Sequence, residues 1–231
     1  MTRINVFLAQ QTGVSRREAD ALIKAGSVTI NGKPAELGQQ IDLGKDRVSV
    51  RGKPLRAQQH DVITIALYKP KGYVTTRLDP QKRKTVMSLL PKALKNLRPV
   101  GRLDYESEGL LLLSNDGNFI YKSTHPKYEK QKEYRLVFQK PVTKKLIERF
   151  GKGIRLEEGV AKADSVKQIE KNEIEVIIHQ GWNRQLRRMA EICHYEVIKL
   201  IRTRVGDTAL ENLRPGEWRY VKKGDGKTLG S

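Results

Sequence analysis

Asp104 stands in the run Gly101-Arg102-Leu103-Asp104-Tyr105-Glu106-Ser107-Glu108-Gly109, just ahead of four consecutive leucines, Leu110 to Leu113. The leucine run is short enough for a buried strand. A carboxylate at the mouth of such a strand sits on a loop held by a rigid sheet, where catalytic groups concentrate. There it can act as a nucleophile or as a base. It can equally be a turn aspartate paired with Arg102, and spacing alone does not separate the two. Glu106 and Glu108 raise another chemistry, the paired carboxylates of a glycoside-type hydrolase, but that reading leaves Arg102 and Arg187 without a role. Other chemistry-bearing residues are sparse. His60, His125, His179 and His194 lack metal-ligand spacing, and a lone Cys193 allows neither an internal disulfide nor a cysteine metal cage. Gly151-Lys152-Gly153 has Leu156 where a dinucleotide fingerprint needs its third glycine. No metal and no cofactor are expected.

Charge says what such a site would meet. Lysine and arginine number 45 against 26 acidic residues, a net +19, with a pI near 10. A surface of this kind attracts polyanions and gains from counterion release. The excess is shared: residues 1–60 carry 10 basic and 5 acidic side chains, the remainder 35 and 21. Anionic membrane is the competing partner. No apolar run nears the roughly 20 residues of a span, and no basic amphipathic helix stands out. Met1-Thr2-Arg3-Ile4-Asn5 lacks the apolar stretch of a secretory signal. The expectation is a cytoplasmic protein that binds nucleic acid and no membrane.

Two sets of elements are needed to carry these residues. In the first, Ile4, Phe7 and Leu8 have helical spacing up to Gly13. Ser15 and Glu18 form a capping box for a second helix with Ala19, Leu22 and Ile23 on its apolar face. Gly26 suits its stop, and Val28 and Ile30 alternate into the hairpin turn Asn31-Gly32. Ile41, Val48 and Val50 mark further short strands. Residues 51–60, polar with Gly52 and Pro54, read as a linker. In the second set, residues 61–221, strands are expected at Val62–Tyr68, Leu110–Leu113, around Tyr134–Phe138, around Ile174–Ile178 and at Val197–Val205. Asn115-Asp116-Gly117 reads as a turn. Thr143 would cap a helix to Phe150. Asn183 would cap another from Arg184 to His194, with Leu186, Met189, Ala190 and Cys193 inward. Residues 222–231 read as a flexible tail. The class is α+β: a small helix-helix-hairpin module, residues 1–50, and a larger domain with a mostly antiparallel sheet.

Specific motifs then resemble known families. Val14-Ser15-Arg16-Arg17-Glu18-Ala19 and Val28-Thr29-Ile30-Asn31-Gly32 resemble the S4 RNA-binding domain. That resemblance implies recognition of structured RNA by shape and phosphate, through Arg3, Arg16, Arg17, Lys24 and Lys33. Gly101-Arg102-Leu103-Asp104, with the later Leu110-Leu111-Leu112-Leu113-Ser114-Asn115-Asp116-Gly117, resembles the active-site motif of the pseudouridine synthases. The subgroup is that of the bacterial small-subunit rRNA enzyme and its large-subunit relatives. Lys132-Glu133-Tyr134-Arg135-Leu136 and Gly181-Trp182-Asn183-Arg184-Gln185-Leu186-Arg187-Arg188-Met189 resemble two further motifs of that family, in the right order.

The resemblance implies roles. Asp104 is the catalytic carboxylate, acting ionised, and Arg187 pairs with it and holds its rotamer. Tyr134 stacks on the target base. Arg102 contacts phosphate or fills the space of the flipped uridine. Lys132, Arg184 and Arg188 add RNA contacts. Small-subunit-type members have histidine where this chain has Arg184, which leans toward large-subunit (23S) rather than small-subunit (16S) rRNA. Ribosomal assembly intermediates are a second form of that partner, and the implied state is a monomer. Two alternatives stand beside this: an S4-bearing binding protein without turnover, for which Asp104 is dispensable, and an RNA nucleoside hydrolase, which would release free base.

Overall fold

The computed structural model describes residues 1–56 and 61–221. The chain divides into two compact units, residues 1–61 and residues 62 onward. In the first, β1 (Thr2–Arg3) leads into α1 (Ile4–Thr12), and α2 (Arg16–Lys24) follows. The capping box forms at the start of α2. The Glu18 amide donates to Ser15 Oγ at 3.1 Å, and the Ser15 amide donates to Glu18 Oε2 at 2.6 Å. Ile4, Phe7, Leu8, Ala19 and Ile23 pack with Val28, Ile30, Ile41 and Val48 into one small core.

β2 (Val28–Ile30) and β3 (Lys33–Pro34) are joined by Asn31 and Gly32 at φ 53° and 82°. Two consecutive left-handed residues make the hairpin turn whose twist suits the flanking strands. β4 (Gln40–Ile41) pairs with β1, while β5 (Val48–Val50) pairs with β2. One expectation needs correction here. Lys53–Leu55, read as linker, is strand β6, paired with β5 through a second two-residue turn at Arg51 and Gly52. Lys53 and Pro54 are exposed and Leu55 alone packs on the core, so the alternation that marks a half-buried strand is missing. The rest of that linker, residues 57–60, and the tail, residues 222–231, lie outside the described residues.

The second unit is built on β7 (Thr64–Lys69), β8 (Arg98–Val100), β9 (Glu108–Ser114), α3 (Gly117–Thr124), β10 (Lys132–Phe138), α4 (Lys144–Lys152), β11 (Ile154–Leu156), β12 (Gly159–Ala161), β13 (Ser165–Glu170), β14 (Glu173–Ile178), α5 (Gln185–Ile192), β15 (Val197–Val205), β16 (Thr208–Ala209) and β17 (Trp218–Tyr220). Its main sheet runs β13-β14-β10-β15-β9-β7-β17, with β16 beside β15 and β8 beside β9. All its pairings are antiparallel except β15 with β9. β9 is covered on both faces. Leu111 and Leu113 join the larger core with Leu136 and Phe138, and Leu110 and Leu112 join a second one with Ala66 and Val100. Double coverage is why the leucines run on without alternating.

β9 also meets a fork. β7 pairs along one edge from Gly109 to Ser114. The other edge is shared: β15 pairs at Glu108 and Gly109, and β8 at Leu112 to Ser114. Leu110 and Leu111 face the gap between them. Two further expectations change. Asn115-Asp116-Gly117 is the start of α3, because the Asp116 carboxylate accepts from the Asn118 amide as an N-cap. In α5 the cap position is Arg184, left-handed at φ 48° and without a side-chain cap bond, rather than Asn183. The turn is closed instead by Gln185, whose Oε1 accepts from the Trp182 amide at 3.3 Å and whose Nε2 donates to Gln180 Oε1 at 2.8 Å.

Candidate active site

Beside the fork lies a cleft of about 390 Å³, in the range of small-ligand sites. Its floor is β10 and β15. Tyr134 stands directly opposite Arg202, and Lys132 opposite Val205; all four line the cleft. Its walls are the segment from Val100 to Asp104, the end of α3 and the segment from Gly181 to Leu186. Arg102, Asp104, Lys132, Tyr134 and Arg184, singled out from sequence, therefore come together from separate stretches of chain. Asp104 is the sole carboxylate among the lining residues, with Arg102, Lys132, Arg184 and Arg202 around it. Tyr134 is 8% exposed, a ring embedded in the floor with one side on the cleft.

The loop carrying Asp104 is fastened from several sides. Thr75 Oγ1 donates to the Leu103 carbonyl at 2.7 Å and accepts from the Leu103 amide at 3.2 Å. The Asp104 carbonyl accepts from the Ser107 amide at 3.1 Å, and the Tyr105 carbonyl from Gly72 at 2.9 Å. Two buried cations complete the mount. Lys69, at 0% exposure, donates from Nζ to the Ser107 carbonyl at 2.7 Å and to the Pro70 carbonyl at 3.1 Å. Arg202, 3% exposed, donates from Nε to the Leu110 carbonyl at 2.8 Å and from Nη1 to the Arg102 carbonyl at 3.3 Å. It thus bridges the gap in the fork and grips the backbone two residues before Asp104. Neither cation belongs to the motifs read from sequence, yet a signal exists. Lys69 follows Ile65 and Leu67 in phase, and Arg202 follows Leu200, so each charge falls on an inward-facing strand position.

Several expected placements change. Arg187 is buried, but its Nη1 donates to the Val197 carbonyl at 2.9 Å and its Nη2 to the Glu106 carbonyl at 3.0 Å. Among the described residues no ion pair joins it to Asp104; it clamps the loop after Asp104 to the start of β15. Two backbone carbonyls each take one donor of its planar fork. Lys132 does line the cleft, yet its ammonium donates to the carbonyls of His179 and Gln180 at 3.1 and 3.3 Å. Burial, with Arg202 nearby, pushes it down to about 8. Those two bonds hold the segment that leads to Trp182. Arg188 lies outside the cleft in a two-bond pair with Glu158, at 3.0 and 2.8 Å. Glu106 and Glu108 are each matched by lysine, Lys71 at 2.8 Å and Lys199 at 3.3 Å. The hydrogen bond from Lys71 holds the Glu106 carboxyl below its ordinary value. A hydrolase's general acid needs the opposite shift. In the first unit Arg3, Arg16, Arg17, Lys24 and Lys33 are all exposed.

Lys69 yields a prediction about pH. Burial pushes its ammonium from 10.5 down to about 8, against the attraction of Asp104 and Glu108. A base with a lowered folded value binds its proton less tightly folded than unfolded. On this group alone, stability is therefore least below about pH 8 and rises between about 8 and 10.5. Activity follows the other sign, because the charge that tethers the Asp104 loop is lost over the same interval. The kcat/KM profile is expected to fall above about pH 8. In Lys69→Met that alkaline limb should vanish and the plateau should drop about tenfold or more. A wild-type profile flat to pH 10 would contradict this.

The comparisons with known proteins agree with this geometry. Residues 63–191 match the RNA pseudouridylate synthase family, and residues 2–48 match the S4 domain. The chain belongs to the RNA pseudouridylate synthase family, with an S4 domain at its N-terminal end. It is 39% identical to the ribosomal large subunit pseudouridine synthase B of Bacillus subtilis, over 99% of this chain and 96% of that relative. It is 38% identical to the dual-specificity RNA pseudouridine synthase RluF of Salmonella typhi, over 94% of this chain and 75% of the relative. A crystal structure of a pseudouridylate synthase superposes with a TM-score of 0.69 at 27% identity, covering 96% of both chains.

Proposed function

We propose that the protein isomerises uridine to pseudouridine in ribosomal RNA, with Asp104 as the acting carboxylate. One observation carries the reading: a carboxylate on a tethered loop, the sole one lining a cleft that it shares with four cationic side chains and a largely buried tyrosine. The reaction breaks the bond from ribose C1′ to uracil N1 and joins C1′ to C5. The proton of C5 is lost and N1 gains one, so the product is an isomer and no oxidant or group donor enters. For the base to turn, the nucleotide leaves the helix and enters the cleft. Tyr134 gives it a stacking surface, and Arg102 and Arg184 meet the strand at the mouth. Arg187, Lys69 and Arg202 act as positioning residues through the Asp104 loop. The relative named for the ribosomal large subunit favours 23S over 16S RNA, and we take the partner to be that RNA, free or within an assembly particle, bound by a monomer. The direct test supplies rRNA transcripts and partly assembled particles tritiated at uridine C5 and counts tritium released to water. Release with retention of the base is the expected result. Free uracil would point to a hydrolase, and silence on RNA and particles alike to a binding protein.

The S4 unit supplies the sequence-independent grip. Arg16→Glu, Arg17→Glu and Lys24→Glu together are expected to weaken rRNA binding about tenfold or more at moderate salt. They should also flatten the dependence of log K on log salt by about 0.7–0.9 for each phosphate no longer neutralised. Acidic residues suit the first turn of α2 at positions 16 and 17, and an acid at position 24 in the last turn costs only about 0.3–1 kcal/mol, so the helix itself should persist. An unchanged salt slope in a filter-binding titration would remove this role.

A further inference from the structure

The turn after α3 carries a cluster of rings that the reaction leaves unused. Tyr121, His125 and Tyr128 come together at i, i+4 and i+7. Ring centroids are 4.8 Å apart for Tyr121 and His125, 5.9 Å for Tyr121 and Tyr128, and 6.4 Å for His125 and Tyr128. The cluster faces outward, with Tyr121 47% and Tyr128 37% exposed, while Phe119 and Ile120 of the same helix pack on the core. Lys127 Nζ lies 5.5 Å from the Tyr121 ring centroid and 4.8 Å from that of Tyr128. The turn is fixed, because the Lys127 amide donates to His125 Nδ1 at 3.3 Å and the Tyr128 amide to the His125 carbonyl at 3.1 Å. The rings are therefore prearranged rather than loosely hung.

Their place in the fold points to a partner. Ser123 and Thr124, between Tyr121 and His125, line the cleft. The Thr124 methyl packs on Gly101, 3.7 Å from where a Cβ would stand, just before Arg102. The ring cluster is thus continuous with the rim of the active site. Lys122, Lys127 and Lys130 fall within or beside it along the chain against one acid, Glu129, which suits a polyanionic strand.

We propose that Tyr121 and Tyr128, whose rings stand edge to face at 88° with His125 beside them, form a stacking platform, each ring offering its own face, for an unpaired nucleotide flanking the target uridine, with Lys127 beside its phosphate. This rests on the reading that the cleft takes a flipped uridine of RNA. Extrusion of one base unstacks its neighbours, and an aromatic surface next to the pocket offers one of them a new face. Such stacking tolerates any base, so the platform would hold the strand without selecting sequence.

The test uses the full-length protein and fluorescence anisotropy with two end-labelled probes, a short oligouridylate and an RNA duplex of matched length. The variant Tyr121→Ala with Tyr128→Ala is expected to lose about tenfold or more in affinity for the single strand, with duplex affinity unchanged. Tyr121→Phe with Tyr128→Phe should bind both probes like the wild type, since the ring and not the hydroxyl makes the contact. Thermal unfolding of both variants should match the wild type because the rings are exposed. Unchanged single-strand affinity in the alanine variant, equal loss on the duplex, an equal loss in the phenylalanine variant, or no single-strand binding by the wild type would each overturn the proposal. The binding assay involves no turnover, so failure of the isomerase reading would appear separately, as absent tritium release.

Discussion

Asp104→Ala is expected to reduce tritium release from C5-labelled rRNA to background, a loss of at least about a thousandfold, with rRNA affinity within about twofold of wild type. The argument is one of count and placement. Asp104 is the sole acid lining the cleft, and Glu106 and Glu108 are engaged by lysines, so no neighbour can take its place. Its loop is held by the Thr75 and Ser107 bonds through backbone atoms, which the substitution leaves intact. Removing one negative charge from a basic cleft should, if anything, favour binding of a polyanion. Asp104→Asn keeps the shape and should be equally silent. Measurable release by either variant would show that Asp104 is not the acting group.

Gly109→Ala is expected to destabilise the protein by about 3 kcal/mol or more, measured as a shift of the urea midpoint. Gly109 sits between Lys69 on β7 and Arg202 on β15, at φ 104°. A Cβ there would overlap the Arg202 carbonyl oxygen and stand 2.6 Å from the Arg202 amide nitrogen. Both obstacles are backbone, so neither can rotate away. The backbone angle is itself disfavoured for any residue with a Cβ. Gly117→Ala makes the control. It lies at the start of α3 with nothing within 4 Å of its would-be Cβ, and the change should be near neutral or stabilising by up to about 1 kcal/mol. Equal midpoints for the two variants would refute the crowding argument. Because Arg202 also grips the Arg102 carbonyl, Gly109→Ala should lower activity even where it still folds.

Sequence carries the motifs and the paired elements well where local chemistry is explicit. Ser15 with Glu18, and Asn31 with Gly32, name their own turns, and both form. The residues of the cleft are likewise legible, since Asp104, Tyr134, Arg102 and Arg184 fall together as the motif order implies. What escapes is decided by tertiary packing. Asn115-Asp116-Gly117 has the composition of a turn, yet Asp116 caps a helix whose apolar residues, Phe119 and Ile120, are too few to announce it. Arg187 is expected on Asp104 because the resemblance implies that pair, whereas two of its donors find the carbonyls of Val197 and Glu106. Lys69 and Arg202 are hard to single out because a buried cation is uncommon. Strand phase places each inward, but only the sheet shows the carbonyls that receive it.

The fork in β9 has a consequence for how such an enzyme changes over time. The cleft lies beside that fork with β10 and β15 as its floor, so its chemistry is anchored in ladders and buried side chains. Around it stand parts of another kind: the turn after α3 and the segment from Gly181 to Arg184. These can lengthen, shorten or change charge while the carboxylate and the tyrosine stay where they are. Target choice is then free to drift under selection on the periphery, and one chemical engine can be readdressed from one RNA site to another without being rebuilt.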